Sequence, residues 1–323
     1  MREVPLLQVK DLQVSFTVDK KPVPVVRGLS YALPAGKVLA VVGESGSGKT
    51  VHALSILRLL PPGAQISGGE VIFQGENLVA LSEKQLRPIR GQKISMIFQD
   101  PAASLNPVLT IGEQLTETLL AHKKLTKAQA RQEAAALLEK VGIPDAQKRL
   151  DEYPFQFSGG MCQRVMIAMA LALSPDILIA DEPTTALDVT IQAQIIRLIK
   201  ELQQRSQMAV IFITHNLALA SQVADTVLVL YGGLCMESAP AEELFASPRH
   251  PYTQGLLSSL ASVESRPERL PAIAGQPPVA GEILSGCPFA PRCAYATDKC
   301  RQAVPPLIKN GAHEVRCWRE EVK

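Results

Sequence analysis

Eight consecutive residues constrain the fold of this chain more than any other segment. They are Gly43-Glu44-Ser45-Gly46-Ser47-Gly48-Lys49-Thr50, which fit the pattern G-x-x-x-x-G-K-[ST] of a phosphate-binding loop. The unbroken apolar run 38–42 before them is typical of a buried parallel strand, and residues 51–60 after them have helical spacing up to Pro61-Pro62. This strand–loop–helix context favours an α/β nucleotide-binding domain over a chance glycine-rich turn.

The residue types of the loop suit a nucleoside triphosphate. Gly43, Gly46 and Gly48 let the backbone curl so that successive N–H groups point at phosphate oxygens, next to the positive end of a helix dipole. Lys49 supplies a cation to the β- and γ-phosphates, and the Thr50 hydroxyl is placed to bind Mg²⁺. The loop alone does not indicate to which class of nucleotide-binding proteins the chain belongs.

The composition is that of an ordinary globular chain. Of 323 residues, 46% are hydrophobic and 20% are charged, and the formal charge of +2 is too small to indicate nucleic acid as the main partner. No apolar run approaches the roughly 18–20 residues of a membrane span, and the first residues lack the apolar segment of a signal peptide. We therefore expect a cytosolic protein whose cysteines are reduced or bound to metal.

Two polar or aromatic residues occupy positions where a nucleotide could be contacted. Phe16 lies at the edge of a predicted antiparallel β unit, residues 6–31 with a hairpin tip at 19–22, and could stack on adenine. An ordinary core position is an equal alternative for Phe16. Gln99 follows the predicted strand 94–98, and α/β proteins place ligands at the carboxyl ends of their strands. A loop-capping amide is the alternative for Gln99.

Two predicted helices have informative first residues. Ser158-Gly159-Gly160 opens a helix that extends to Leu173, so it is a second candidate anion site, with a plain N-cap as the alternative. Thr126 and Gln129 form a predicted capping box at the start of a helix that ends at Gly142.

Two further strand ends carry ionisable side chains. Asp181 and Glu182 follow the apolar run 177–180, where Asp181 can hold Mg²⁺ through water and Glu182 can orient or deprotonate the attacking water. His215 ends the predicted strand 210–214 and can donate a hydrogen bond to a γ-phosphate, although a lone histidine is more often structural.

Taken in chain order over residues 6–260, these segments resemble the ATPase of an ABC transporter. The matching parts are Phe16 (A-loop), 43–50 (Walker A), Gln99 (Q-loop), 157–161 (signature), 177–181 (Walker B), Glu182 (catalytic base), 186–188 (D-loop) and His215 (switch). The resemblance implies a P-loop cassette with a RecA-like core, an antiparallel β subdomain and a helical signature subdomain. Phe157 and Met161 depart from the usual Leu and Gln of the signature, but Ser158 and both glycines are retained.

The resemblance also implies a head-to-tail pair of subunits with ATP between them. Catalysis is assigned to Glu182, Gln99 and His215. The implied ligand contacts are Phe16, residues 43–50, Gln99, Asp181, Ser158, Gly159, Gly160 and Asp188 for ATP, and Thr50, Gln99 and Asp181 for Mg²⁺.

A finer resemblance is to the ATP-binding subunits of oligopeptide and dipeptide permeases, a group that includes nickel importers, with the dipeptide type closest. It rests on the segments 98–101 with 104–107, 249–253, and the cysteine-bearing tail from Cys287. It implies a similar partner ATPase, two membrane-spanning subunits, an indirect extracytoplasmic solute-binding protein, and a peripheral location on the cytoplasmic face of the inner membrane. Nickel or another small solute stays open as the cargo.

Two other classes are weighed against transport. ABC ATPases of genome maintenance carry coiled-coil or zinc inserts, and ribosomal ones carry two cassettes, whereas this cassette is single and uninterrupted. A kinase that uses only the phosphate loop leaves the signature and His215 without a role.

The last part of the chain is predicted to be distinct. We expect a cassette over 1–260, a Pro/Gly-rich linker over 261–286 and a cysteine-rich tail over 287–323. The tail spacing, C-x5-C-x6-C-x16-C, joins Cys287, Cys293, Cys300 and Cys317 and lacks the close pairs usual for zinc. It favours a [4Fe–4S] cluster over zinc, and over free or disulfide-paired thiols. Cys162 and Cys235 are expected to be ordinary buried residues.

Overall fold

The fold was analysed in a computed structural model of the chain, which describes residues 5–185, 187–259, 273–278 and 285–322. The chain divides into two compact units, one formed by residues 1–81 with 212–323 and one by residues 82–211. The elements of the first unit are β1 (Leu7–Val18), β2 (Lys21–Leu33), β3 (Val38–Val42), α1 (Lys49–Ile56), β4 (Ala64–Phe73) and β5 (Glu76–Asn77), then α9 (Leu217–Val223), β9 (Thr226–Tyr231), β10 (Leu234–Pro240), α10 (Ala241–Ala246), α11 (Pro251–Ser258), α12 (Asp298–Gln302), β11 (Ile308–Asn310) and β12 (His313–Val315).

The second unit is mainly helical. Its elements are α2 (Glu83–Leu86), β6 (Ile94–Ile97), α3 (Pro101–Ser104), α4 (Ile111–His122), α5 (Lys127–Lys140), α6 (Ala146–Arg149), α7 (Gly159–Leu171), β7 (Ile177–Asp181) and α8 (Val189–Ser206). Strand β8 (Ala209–Thr214) contains the boundary between the units, and short 3-10 helices lie at Pro154–Gln156, Ala290–Arg292 and Trp318–Val322. No helix among the described residues is long and apolar enough to cross a membrane.

An antiparallel sheet of order β2-β1-β4-β5 begins the first unit. Its hairpin turns between Val18 and Lys21, which pair directly, and the two turn residues Asp19 and Lys20 both have left-handed backbones, with φ of 49° and 63°. Two successive left-handed residues are typical of the tight turn that matches the twist of the flanking strands. The hairpin expected from the sequence is therefore confirmed.

The strand that precedes the phosphate loop belongs to a second sheet of the first unit. Strand β3 pairs in parallel with β9, and β9 continues into the β9–β10 hairpin, whose β10 pairs with the tail strand β12. All five residues of β3 are buried, as a strand covered on both faces requires. The tail is thus built into the sheet that supports the loop.

In the second unit, β6 and β7 pair in parallel, in register from Ile94–Ile177 to Ile97–Ala180. Helix α5 begins with the predicted capping box, since the Gln129 N–H donates to Thr126 Oγ1 at 3.3 Å and the Thr126 N–H donates to Gln129 Oε1 at 2.9 Å.

One helix ends earlier than its periodicity indicates. Helix α1 stops at Ile56 rather than Leu60, because Arg58 takes a left-handed backbone (φ 51°) and its N–H donates to Ser55 O at 3.1 Å. The residue before a proline avoids the helical region, so Leu60 ahead of Pro61 cannot continue the helix. The domain boundaries at 260 and 286 stay predictions, and most of the expected linker lies outside the described residues.

Candidate functional site

The phosphate loop of the first unit is held in a shape that only its glycines permit. Gly46 and Gly48 have φ of 79° and 100°, in the left-handed region, and Gly48 is the N-cap of α1. A Cβ on Gly43 would lie 2.2 Å from the carbonyl oxygen of Leu230, so the loop packs directly against the end of β9. Gly43 and Gly48 therefore leave room for neighbouring backbone that a side chain would fill.

The polar side chains of the loop fit a phosphate ligand. Lys49 is 5% exposed, and its Nζ donates to the carbonyl oxygens of Gly43 at 2.7 Å and Glu44 at 2.8 Å, so the amine spans its own loop. The Ser47 hydroxyl is buried and has no hydrogen-bond partner among the described residues. Thr50, in the first turn of α1, is exposed. A buried hydroxyl and a loop-spanning ammonium are suited to accept an anion at this position.

Two residues far along the chain contact the loop, and neither belongs to an ATP motif of the sequence. The Glu44 N–H donates to the Tyr252 hydroxyl at 2.9 Å. The Glu44 carboxylate accepts two hydrogen bonds from the Arg292 guanidinium, at 2.6 and 3.2 Å. In the sequence, the segment 249–253 and the cysteine-bearing tail indicate only the resemblance to peptide-permease ATPases.

The other expected site residues of the first unit lie near element ends. Phe16 is partly exposed on β1, opposite Val23 on β2 and Ala64 on β4, and its contact with adenine stays a prediction. His215 is exposed directly after β8. Asn216, which had no assigned role, is the N-cap of α9, since its Oδ1 accepts from the Ala218 N–H at 2.9 Å.

The second unit brings Gln99 and Glu182 together. The Gln99 amide donates to Glu182 Oε2 at 3.2 Å, and the Thr185 hydroxyl donates to the same oxygen at 2.8 Å. Asp181, the last residue of β7, is 1% exposed. Glu182 has a left-handed backbone, with φ of 45°, which is unfavourable for a residue with a side chain and is concentrated at functional sites. The Glu182 carboxylate is thus held by two hydrogen-bond donors, on a residue with a strained backbone directly after β7.

The expected signature segment forms the start of α7. Ser158 is exposed and caps the helix, because its Oγ accepts from the Met161 N–H at 3.3 Å. A Cβ on Gly160 would lie 2.9 Å from Ile191 Cγ2, so the glycine lets α7 approach α8 closely, whereas a Cβ on Gly159 would make only an ordinary contact, 3.8 Å from Leu187 Cδ2. Phe157 is 8% exposed, which explains an apolar residue there as packing. The helix N-terminus and serine needed for an anion contact are both present.

Asp188 has a structural role in addition to the one expected. Its Oδ1 accepts from the Ile191 N–H at 3.0 Å, which makes it the N-cap of α8. Asp188 and the following Val189 are exposed, and Ala186 of the same segment lies outside the described residues.

The tail cysteines are clustered but do not form a recognised metal site. No group of three or more His, Cys, Asp or Glu residues among the described ones is placed to hold a metal ion, so the expected cluster is not supported by the geometry. Burial raises the pKa of Cys287 to about 11, with smaller contributions from Cys293, Cys300 and Cys317. Cys162 and Cys235 are buried as expected, and burial raises the pKa of Cys235 to about 12.

Comparison with known families gives two matches on the chain. The family model described as ABC transporter matches residues 26–185, and the one described as Oligopeptide/dipeptide transporter, C-terminal region, matches residues 236–300. The second match includes Tyr252 and Arg292, the two residues that contact the phosphate loop although they are far from it in sequence.

Two curated relatives are similar over nearly the whole chain. The dipeptide transport ATP-binding protein DppD of Bacillus subtilis is 50% identical over 318 residues, which cover 98% of this chain and 95% of the relative. The oligopeptide transport ATP-binding protein OppD of the same organism is 49% identical over 321 residues, which cover 98% of this chain and 90% of the relative.

Two solved structures share the architecture. The ATP-binding cassette MJ0796, in a dimeric post-hydrolysis state with ADP and Pi, aligns with a TM-score of 0.66 and 26% identity over 73% of this chain and 98% of its own. The protein cbiO1 from Clostridium perfringens, part of the transporter complex cbiONQ, aligns with a TM-score of 0.65 and 25% identity over 75% of this chain and 91% of its own.

Proposed function

The chain belongs to the ABC transporter ATP-binding family, in its oligopeptide/dipeptide branch, and from that membership we propose that it hydrolyses ATP to drive peptide import. The observation that carries the proposal is the near full-length identity to ATP-binding proteins named for dipeptide and oligopeptide transport. The intact phosphate loop supports the hydrolytic part.

The residues of the loop and of the β7 end take complementary roles in this proposal. The backbone N–H groups of 43–50 and the Lys49 amine bind the β- and γ-phosphates, and Thr50 and Asp181 hold Mg²⁺, with Gln99 as a further ligand. When bound, Mg²⁺ supplies positive charge to the phosphate oxygens. Phe16 is proposed to stack on adenine, and its partly exposed ring supports that assignment.

Hydrolysis then needs a base for water, and we assign that role to Glu182. Its carboxylate takes a proton from the water whose oxygen attacks the γ-phosphorus, while the bond to the β,γ-bridging oxygen breaks and ADP and phosphate leave. Gln99 and Thr185 hold Glu182 Oε2, which fixes the direction of the carboxylate. His215 is proposed to donate a hydrogen bond to the γ-phosphate.

The assembly is proposed as a head-to-tail pair. A second, similar ATPase subunit contributes its Ser-Gly-Gly helix start to the ATP on this chain, and Ser158, Gly159, Gly160 and Asp188 serve the partner's ATP. The exposed capped start of α7 supports this role. Two membrane-spanning subunits and, indirectly, a solute-binding protein complete the importer at the cytoplasmic face of the membrane. Nickel or another small solute is the alternative cargo.

Uptake by cells tests the transport function directly. A strain that lacks this ATPase is complemented with the wild-type gene, Lys49→Ala or the exposed control Lys84→Ala, and uptake of labelled di- and oligopeptides and of ⁶³Ni²⁺ is measured. We expect peptide uptake with the wild type and Lys84→Ala and none with Lys49→Ala. If Ni²⁺ alone were taken up, nickel would take the place of peptides as the proposed cargo. Equal uptake with Lys49→Ala and with the wild type would contradict an ATP-driven importer.

We also propose the four tail cysteines as ligands of a [4Fe–4S] cluster, on the basis of their spacing in the sequence, although the described residues are not arranged as a metal site in this structure. Burial raises the pKa of Cys287, Cys293 and Cys317, and hydrogen bonds to their sulfur atoms from the backbone N–H groups of Phe289, Tyr295 and Arg319, respectively, partly oppose that rise. Such donors stabilise thiolate ligands. Anaerobic purification followed by visible absorption and iron, sulfide and zinc analysis tests the assignment. A colourless protein with stoichiometric zinc, or with four titratable thiols and no metal, would contradict it.

A further inference from the structure

The strongest feature outside the catalytic motifs is the contact between the phosphate loop and the tail. Glu44 and Arg292 are 248 positions apart, yet their side chains form a two-pronged ion pair with N–O distances of 2.6 and 3.2 Å. The Arg292 side chain is 6% exposed and that of Glu44 is 25% exposed. A pair that is so largely removed from water and has two hydrogen bonds is screened less by solvent and salt than an exposed surface ion pair.

Arg292 joins the loop to two other parts of the first unit. Its guanidinium donates to the Tyr231 hydroxyl at 3.1 Å, to Ala274 O at 3.0 Å and to Ile273 O at 3.3 Å. Tyr231 ends β9, and Ile273 and Ala274 belong to the described segment 273–278. The position of Arg292 is thus fixed by four partners, and the carboxylate that it holds is fixed with it.

The backbone of Glu44 is held as firmly as its side chain. Its N–H donates to the Tyr252 hydroxyl at 2.9 Å, and its carbonyl oxygen accepts from Lys49 Nζ at 2.8 Å. The rings of Tyr231, Tyr252 and Phe289 pack against one another with centroids 4.6 to 5.4 Å apart, which makes a rigid support behind the loop. Phe289 comes from the tail, so the support also depends on tail folding.

We propose that Arg292 is a positioning residue for nucleotide binding, which acts through Glu44 to hold the phosphate loop in its ligand-ready shape. The tail is thereby coupled to the ATP site, and by thermodynamic reciprocity ATP stabilises the tail segment around Arg292. This inference rests on the proposed binding of ATP at the loop. It requires no metal in the tail, only the folded segment 287–293.

Nucleotide affinity is the first test, measured on the full chain with Mg–ATP by titration calorimetry. We expect Arg292→Met and Glu44→Gln each to raise Kd roughly tenfold, the size of coupling usual for contacting charged residues. Arg292→Lys, which keeps the charge but loses the paired donors, should give a smaller increase. Arg301→Met removes the same charge from an exposed tail position and should leave Kd within roughly twofold.

The double variant separates positioning from general damage to the tail. If Arg292 acts through Glu44, then Glu44→Gln with Arg292→Met binds ATP no more weakly than the worse single variant. Independent effects would multiply and would overturn the proposal. Wild-type Kd in folded Arg292→Met would overturn it as well, whereas failure of the wild type itself to bind ATP would instead overturn the proposed function.

Hydrogen–deuterium exchange gives a second readout, which reports on the stability of the tail segment rather than on nucleotide affinity. In the wild type, saturating Mg–ATP should slow exchange across 287–293 several-fold, and in Glu44→Gln, saturated at higher ATP, this slowing should be lost. Equal protection of 287–293 in both proteins would show that the tail is stabilised without the ion pair and would contradict the proposal.

Discussion

At the scale of single residues, Glu182 combines chemical suitability with backbone strain. Its left-handed φ of 45° and its two donors, Gln99 and Thr185, fix a carboxylate at the end of β7. Strain of this kind persists only where the surroundings enforce it, and it is common at reacting centres. The sequence supplied the identity of the residue, but the strained conformation and the Thr185 contact depend on local packing that motif spacing does not describe.

We predict that Glu182→Gln retains ATP binding and loses turnover. An amide keeps the size and hydrogen bonds of the side chain but cannot accept the proton of water, so kcat should fall by roughly 10²–10⁴-fold. Phosphate release by the assembled complex measures it, with the exposed helix residue Glu201→Gln as a control. Near-normal ATPase activity of the Glu182→Gln complex would contradict the assignment of Glu182 as the general base.

Buried histidines give a prediction for acid stability. Burial lowers the pKa of His52 to about 4 and that of His250 to about 3, so the folded state keeps both rings neutral where the unfolded chain protonates them. The unfolded state then binds more protons below pH 6.5, and the free energy of unfolding falls as pH falls. For His52 alone the loss between pH 7 and pH 5 is about 2 kcal/mol.

Urea unfolding at the two pH values measures this loss. His52→Gln removes one titrating group, so its free energy of unfolding should depend less on pH than that of the wild type. The Tyr31 hydroxyl lies 2.7 Å from His52 Nε2, and Tyr31→Phe, which keeps the histidine, is the matched control that should retain the pH dependence. If the free energy of unfolding depended on pH equally in His52→Gln and in the wild type, the assignment of this dependence to His52 would be contradicted.

At the scale of elements, local signals were predictable and distant ones were not. The capping box of α5 and the serine cap of α7 could be predicted because each is formed within four residues of sequence. The early end of α1 depends on the left-handed Arg58, and the loop contacts of Tyr252 and Arg292 span 208 and 248 positions. Such contacts are set by tertiary packing, which no local pattern records.

The capping box of α5 provides a test of the element alone. Thr126→Ala removes the side-chain acceptor for the Gln129 N–H, and we expect the free energy of unfolding to fall by about 1 kcal/mol. ATP affinity should be unchanged, because the box lies in no ATP motif. Chemical denaturation measures the change, with Lys127→Ala at the first helical position as the control, which should be near neutral.

At the scale of the whole molecule, the cassette fold expected from the order of the motifs is confirmed by the alignments to solved ABC cassettes. One of those cassettes was captured as a dimer with ADP and Pi. The sequence could identify the cassette because its motifs are contiguous and ordered. The integration of the tail into the β10 edge of the sheet was not predictable, since the three-residue strand β12 carries too short a pattern.

We predict that the isolated chain binds ATP but hydrolyses it poorly. If the Ser-Gly-Gly helix start of a second ATPase completes the site, then turnover per chain should rise roughly 10²–10³-fold on addition of the partner ATPase and membrane subunits. Phosphate release measured over a range of chain concentrations checks it. Full activity that does not depend on concentration, from a chain shown to be monomeric by light scattering, would contradict the composite site.

The pairing of Glu44 with Arg292 also has a consequence for biosynthesis. A ribosome adding about 5–20 residues per second needs roughly 12–50 s to cover the 248 positions between the two residues. During that interval the nascent chain carries a complete phosphate-loop motif, but the Glu44 carboxylate cannot yet pair with Arg292, which has not been synthesised. A translation product that stops before Arg292 carries the same motif permanently in that state, so premature termination late in the message yields a chain that looks intact in its ATP motifs and is incomplete at its ATP site.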